Sequence, residues 1–392
     1  MIPINPTTPP TPTPAVSVRR CGSYEYGEVR EALGQALADL GGLAGFVSPG
    51  EKVLLKVNML LRKKPEDGAT THPAVVRAMA DILAAHGAEP VIGDSPGGLF
   101  TPALLKAQYQ GCGFDEAARL SGARLNFNCG ASVRPNPGGL LLKSVRAVDM
   151  LNDVDKVISM PKFKVHGMMT YTGAVKNMFG VVPGLAKAEY HLNMPDYDDF
   201  ANALIDVCLC AAPVLSVMDG IEAMEGNGPS GGDIYRMNCV MASGSPFHLD
   251  RAACAMIGLG AGDVPLLRNA VLRGILAEDG SDAVYAGDPP EAFYAPGFKK
   301  PVSGRSLMNM EKYPKPLARF MDRHAKTRPA VRKELCVGCG ECARNCPAKV
   351  IGIEGGKAVI SCGKCIRCYC CQELCPKKAV EIHKPVIARL FS

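Results

Sequence analysis

Residues 52–98 read KVLLKVNMLLRKKPEDGATTHPAVVRAMADILAAHGAEPVIGDSPGG. Lys52–Asn58 is a short apolar run, Thr71, His72 and Pro73 open a periodic helical stretch that closes at His86, and PVIGD at 90–94 is a second apolar run. Two buried strands joined through a helix lie parallel, because a parallel pair needs a long crossover. The same alternation extends outward. VSVRRC (16–21) and GEVREALGQALADLGG (27–42) read as a strand and an amphipathic helix, and KVISMP (156–161), VLSVMD (214–219) and CVMAS (239–243) as further strands. Strands continuous in apolar residues and separated by helices predict an α/β fold: a mainly parallel sheet with helices on both faces.

In such a sheet, polar residues that end the strands collect in one crevice. Lys56 and Asn58 end one strand, Asp94 and Ser95 another, Lys162, Lys164 and His166 a third, and Asp219 with Gly220 a fourth. After His166, MMTYTGAVKNMFG places Lys176 and Asn177 on an expected helix whose start, near Thr170 and Thr172, offers free amides to an anion. Lys162, Lys164, His166 and Lys176 then form a cationic patch suited to carboxylate, phosphate or developing enolate charge. His166 is the expected proton donor, since imidazole titrates near neutral pH. DGIEAMEGNGP (219–229) reads as a Gly-rich loop whose Asp219, Glu225 and Asn227 offer oxygens to a hard divalent cation, although its spacing matches no calcium loop and a plain turn is the simpler reading. Asp250 anchors this loop or starts a helix. GDSPGG lacks the G-x-G-x-x-G fingerprint, so a nicotinamide is not expected, and the sequence does not decide on a flavin.

The C-terminal part carries a second, independent signal. CVGCGECARNCP (336–347) and CIRCYCCQELCP (365–376) each contain C-x2-C-x2-C-x3-C-P. Three thiolates at this spacing wrap one iron-sulfur cluster, while the fourth reaches the other cluster. The ligand sets therefore cross: Cys336, Cys339, Cys342 and Cys375 for one 4Fe-4S cluster, and Cys365, Cys368, Cys371 and Cys346 for the other. Zinc sites favour separated C-x2-C pairs over crossed triplets. Gly338, Gly340 and Gly363 suit the positive φ and close backbone approach of cluster loops, and VIGIEGGKAVI (350–360) reads as a hairpin around Gly355 and Gly356. Cys362 offers a competing register and Cys370 is surplus; both read as packed thiols.

Composition narrows the remaining classes. The net charge of +6 lies entirely in residues 330–392, with 11 Lys and Arg against 5 Asp and Glu, while the rest holds 33 of each. Two clusters with four thiolates each are anions of about two charges when oxidised, so they offset most of this excess, and no nucleic-acid partner is indicated. Ala203–Met218 is interrupted by Asp206 and Pro213 and falls short of the roughly 18 residues of a spanning helix, so no membrane span is expected. Residues 1–15, MIPINPTTPPTPTPA, have neither the basic start nor the apolar run of a secretion signal and read as a disordered leader. Cys21, Cys112, Cys129, Cys208, Cys210, Cys239 and Cys254 are scattered and read as free thiols of a reducing, oxygen-poor cytoplasm. The expected organisation is a leader (1–15), an α/β domain (16–292), a basic linker (293–330) and a small α+β ferredoxin-like domain for two 4Fe-4S clusters (331–392).

The segments KVLLKVNML, GATTHPAVVRAMADILAAHGAEPVIGDSPGG, SMPKFKVHGMMTYTGAVKNMFGVVPG, VMDGIEAMEGNGP and KCIRCYCCQELCP resemble, in that order, the bacterial and archaeal iron-sulfur proteins of domain of unknown function family 362. The resemblance implies a ligand-binding or catalytic α/β domain joined to two 4Fe-4S clusters. Its motif positions here are Lys56, Asn58, His72, Asp94, Lys162, Lys164, His166, Lys176, Asn177 and Asp219. It brings no settled reaction. The expected function is an iron-sulfur oxidoreductase that passes electrons to a small anionic or carbonyl-bearing molecule, with a low-potential protein as electron partner. The alternatives are an electron carrier whose large domain docks a partner enzyme, and a non-redox enzyme with structural or sensing clusters.

Overall fold

A computed structural model describes residues 15–301 and 327–383. Residues 1–14 of the expected leader, most of the expected linker and the last nine residues lie outside the described residues, and Ala15, counted in the leader, opens the first strand. The strands in chain order are β1 (Ala15–Arg20), β2 (Lys52–Val57), β3 (Glu89–Gly93), β4 (Arg124–Leu125), β5 (Ala131–Pro135), β6 (Ser144–Val148), β7 (Lys156–Met160), β8 (Lys162–His166), β9 (Thr170–Thr172), β10 (Leu215–Glu225), β11 (Asp233–Ser243) and β12 (Val284–Gly287). Ten of them form one sheet, ordered β12-β1-β11-β10-β7-β2-β3-β4, with β8 paired to β10 and β9 to β8. Among the described residues, six of its nine pairings are parallel. The helices are α1 (Tyr26–Asp39), α2 (Pro73–Ala85), α3 (Pro102–Cys112), α4 (Phe114–Ser121), α5 (Ala174–Asn177), α6 (Ala186–Asn193), α7 (Tyr197–Ala211), α8 (Pro246–Met256) and α9 (Pro265–Leu272).

Side-chain alternation along β2 explains the layering. Leu54 joins one buried apolar cluster with Phe200, Leu204 and Ile205 of α7 and Leu249 of α8. Val53, Leu55 and Val57 join the other with Val29 and Leu33 of α1 and Val75, Met79 and Leu83 of α2. Both faces of the sheet are therefore covered, as the continuous apolar strands require. This α/β unit continues past residue 292, since Phe293, Ala295 and Phe298 are buried in its core.

Three local expectations are corrected. Lys162–His166 is not the polar end of β7 but a separate strand: β10 outruns β7, and its Asp219 and Met224 pair with Lys162 and Lys164. Thr170–Thr172 is strand β9, and the short helix after it begins at Ala174. The amides of Ala174 and Val175 are not free for an anion, because the buried Asp250 carboxylate accepts both at 2.5 and 3.0 Å. Residues 219–225 belong to β10 instead of a Gly-rich loop, and the Glu225 carboxylate takes the backbone and side-chain nitrogens of Lys299.

The C-terminal part pairs β13 (Arg328–Val331) with β16 (Val380–His383), antiparallel. Between them lies the hairpin of β14 (Ile351–Glu354) and β15 (Lys357–Ile360), whose two-residue turn holds Gly355 and Gly356 at φ 53° and 71°. Positive φ at both turn residues is the arrangement that twists with the strands and favours glycine. Two short helices, α10 (Glu341–Arg344) and α11 (Cys370–Glu373), lie inside the cysteine motifs.

Asp250 fixes the helix that bears Lys176, so Asp250→Ala leaves two buried amides without an acceptor and is expected to lower stability by about 1–3 kcal/mol. Anaerobic urea unfolding followed by circular dichroism reads this as a lower midpoint, with Asp250→Asn losing less because one acceptor remains.

Candidate functional site

The carboxyl ends of β2 and β3 open onto a cavity of about 400 Å³. Its floor is a continuous polar network. The Lys56 ammonium stands 2.8 Å from an Asp94 carboxylate oxygen and donates to Val57 O and to Asn177 Oδ1. Asn177 Oδ1 also accepts from Asn58 Nδ2, and Asn58 Oδ1 accepts from Lys164 Nζ at 2.7 Å. Asp94 takes the amides of Met59 and Ser95 as well. Burial pulls the Lys56 pKa down while Asp94 opposes it. Gly180 is required here: a Cβ at that position would sit 2.2 Å from Asp94 Oδ1 and 2.4 Å from Lys56 Nζ.

Lys56, Asn58, Asp94, Ser95, Lys164, Lys176 and Asn177 all line this cavity. Lys164 donates to Ala69 O as well as Asn58, and desolvation lowers its pKa to about 7. Lys176 has no hydrogen bond or ion pair among the described residues. The remaining expected residues are elsewhere. Lys162 is buried in a separate cluster, with its ammonium 2.9 Å from Asp219 Oδ2 and 2.6 Å from Tyr24 OH. There Asp219 also accepts the His72 amide, and the His72 ring stacks on Tyr24 at 3.6 Å. His72 Nδ1 accepts the Ala74 amide and so caps α2.

His166 stands behind the cavity wall. Its Nδ1 accepts from the amides of Met168 and Met169, so in the neutral ring the proton is on Nε2, which points to Glu373 Oε2 at 3.7 Å. Burial, then Lys176, push its pKa to about 4. The imidazole is therefore neutral at pH 7, which corrects the expectation that it titrates there.

Three lining residues carried no local signal. Lys187 and His191 lie on α6 in the run GLAKAEYHLN, which follows no strand and has no ligand spacing. Lys187 reaches Ser95 O at 2.6 Å and Val182 O at 2.5 Å, and desolvation lowers its pKa to about 7. Glu373 lies inside the second cysteine motif, where an acid between two thiolates was the one available cue. Burial opposes its charge, yet Lys176, His166 and His191 outweigh that and hold its carboxyl well below the usual range.

The cysteines divide as the crossed sets require. Cys336, Cys339, Cys342 and Cys375 line one small cavity, and Cys346, Cys365, Cys368 and Cys371 line another. Backbone amides of Ala358, Ala379 and Arg367 donate to the sulfurs of Cys336, Cys375 and Cys365 at 3.4, 3.2 and 3.4 Å, the usual support for a thiolate-bound cluster. Both donor sets fit a 4Fe-4S cluster. Cys362 lines neither cavity and donates to Ile360 O. Cys370 lines both the second small cavity and the large one. Gly338 and Gly340 have φ of 67° and 77°, but Gly363 does not adopt positive φ. The matching positions of the second motif are Arg367 and Tyr369, at 57° and 58°.

The cluster-bearing part closes the large cavity. Arg344, Asn345, Cys346, Cys370 and Glu373 line it opposite the strand ends. Gln372 Nε2 donates to Asn227 O, Asn227 Oδ1 and Gly228 O at 2.8–3.0 Å, and Ser230 Oγ donates to Glu373 O at 2.7 Å. Tyr369 enters the α/β core itself.

Comparison with known proteins agrees with this two-part architecture. The model of the domain of unknown function family DUF362 matches residues 53–255, and a 4Fe-4S dicluster domain matches residues 328–376. The chain belongs to the DUF362 family. A thylakoid-associated protein of Synechocystis sp. is 35% identical over 254 residues, covering 64% of this chain and 77% of that one. An uncharacterized ferredoxin of Methanocaldococcus jannaschii is 43% identical over 51 residues, 12% of this chain and 82% of the ferredoxin. The solved lactate racemase apoprotein from Thermoanaerobacterium thermosaccharolyticum aligns at a TM-score of 0.40 and 10% identity, over 63% of this chain and 57% of that chain. No described helix is long and apolar enough to cross a membrane.

The register of the second motif is testable by iron analysis. Cys362→Ala is expected to keep the iron and acid-labile sulfide of the parent protein, whereas Cys365→Ala loses a large share of both; equal loss in the two would move the ligand set to Cys362.

Proposed function

We propose that this chain is an iron-sulfur oxidoreductase that reduces a small anionic, carbonyl-bearing molecule in the cavity between its two parts. The observation that carries this reading is that Cys346 and Cys370 share one cavity with Lys164 and Lys176. A ligand there lies beside the cluster site of Cys346, Cys365, Cys368 and Cys371. Bound 4Fe-4S clusters supply electrons one at a time. The other cysteine set is at the outer side: Cys339 is exposed and Val337 is 60% exposed, a surface suited to a protein electron partner.

The cavity residues have separable roles. Lys176, with no hydrogen bond or ion pair among the described residues, attracts the substrate anion and stabilises negative charge that develops on a carbonyl oxygen. Reduction of a carbonyl to an alcohol consumes two electrons and two protons. The Lys164 ammonium, with its pKa near 7, is matched to donate one of those protons at neutral pH, and water supplies the other. His166 is a positioning residue, whose Nε2–H faces Glu373.

The test is anaerobic reoxidation of reduced protein by small keto acids, followed by cluster absorbance. Lys176→Ala is expected to slow reoxidation by about 100- to 1000-fold, the scale of losing one preorganised electrostatic contact in a dry site, with iron content unchanged. Reoxidation at the parent rate in Lys176→Ala would leave the chain an electron carrier with no chemistry in this cavity.

A further inference from the structure

Charge balance in the cavity says more about its ligand. Of the lysines that line it, only Lys56 has a carboxylate partner, Asp94. Lys164 donates to Asn58 Oδ1 and Ala69 O, and Lys187 to Ser95 O and Val182 O, all neutral oxygens. Lys176 has no direct partner. Around these three ammoniums the nearest uncommitted carboxylate is Glu373, since Glu189 lies at the exposed rim. Arg344 and Lys349 are exposed at the opposite edge and are left out of the count with Glu189: Arg344 is paired with Glu341, and Lys349 donates to Arg344 O. When all three ammoniums are protonated, one carboxylate against them leaves two positive charges in a largely desolvated space. An ammonium carries three N–H donors, so Lys164 and Lys187 each keep one beyond the two already used.

We infer that the cavity is built for a small dianion, a dicarboxylate or a phosphate monoester, held between Lys164 on the strand-end wall and Lys187 on α6, with Lys176 facing the cluster-bearing part. This deepens the reading above by naming its substrate class. The titration behaviour agrees. Desolvation lowers both ammoniums to about 7, with Asp94 and Glu373 raising them and Lys176 lowering them; Lys162 also lowers Lys164, and Lys56 lowers Lys187. A ligand that brings two negative charges raises both pKa values again. Above pH 7, where the empty cavity holds fewer than its full protons, binding therefore takes protons up. A competing role for the same lysines is to balance the charge of the neighbouring cluster, which is itself an anion.

The experiment is isothermal titration calorimetry on the oxidised, cluster-loaded full chain, with succinate, inorganic phosphate and acetate as probes. It is run at pH 8 in two buffers of different ionisation enthalpy. Oxidised protein keeps the measurement independent of electron transfer. The dianions are expected to bind at least about tenfold tighter than acetate, which corresponds to about 1.4 kcal/mol, with net proton uptake. The succinate and phosphate arms separate a dicarboxylate site from a phosphate site. Lys187→Met, checked by circular dichroism for a retained fold because it removes two hydrogen bonds to carbonyls, is expected to bring the dianions down to the affinity of acetate; Lys164→Met repeats the test on the other wall. Equal affinity for all three probes, or no binding, overturns the inference and leaves the reoxidation assay to decide the oxidoreductase reading. Unchanged dianion binding in Lys187→Met together with a shifted cluster midpoint potential also overturns it, and assigns the lysines to the cluster.

Discussion

A buried side chain stands at the centre of the contact between the two halves of this molecule. Gln372, 2% exposed, directs its amide hydrogens at Asn227 and Gly228 of the loop after β10. It lies between Cys371 and Cys375, so the backbone that presents sulfurs to both cluster sites is the backbone held against the α/β domain. Buried hydrogen bonds of this kind are directional and costly to leave unmade. They fix the distance between cluster sites and cavity more firmly than apolar contact alone would, and Ser230 and Tyr369 reinforce the contact on either side of Gln372.

The lysines show how one residue type takes different fates in the same sheet. Lys162 and Lys164 are two positions apart on β8 and both are 1% exposed. Lys162 meets the Asp219 carboxylate and the Tyr24 hydroxyl, a closed cluster in which its charge is matched. Lys164 meets only neutral oxygens, and desolvation then lowers its pKa toward neutrality. Unmatched buried charge is normally avoided because desolvation outweighs what neutral acceptors return. Its concentration around one cavity, with matched charge elsewhere, is the contrast on which the proposed ligand role of the cavity lysines rests.

The two cysteine motifs are repeats in sequence but not in duty. Both demand left-handed backbone at the third and fifth positions. The first meets this with Gly338 and Gly340, and the second with Arg367 and Tyr369, where a side chain makes the conformation costly by about 1 kcal/mol or more. The reason for the second choice is visible at Tyr369, which packs into the α/β core and whose hydroxyl pairs with Thr327. The repeat whose Tyr369 docks into the large domain carries a side chain at that position; the first repeat, whose matching positions make no such contact among the described residues, keeps its glycines.

The sequence by itself determined most of the elements and the expected cluster ligands. Apolar runs buried on both faces dictate a parallel, doubly covered sheet, and a three-residue thiol rhythm ending in Cys-Pro dictates crossed cluster sites, because both are patterns of near neighbours along the chain. Lys56, Asn58 and Asp94 were legible as a group since they sit where strands stop, and Asn177 through its place on the expected helix that follows. Tertiary structure alone decided which lysines face a cavity, that Asp219 and His72 form a separate cluster with Lys162, and that Lys187 and Glu373 complete the wall. Those outcomes depend on contacts between residues far apart along the chain, where charge matching and desolvation are set by whatever the fold brings alongside, and no local spacing records them.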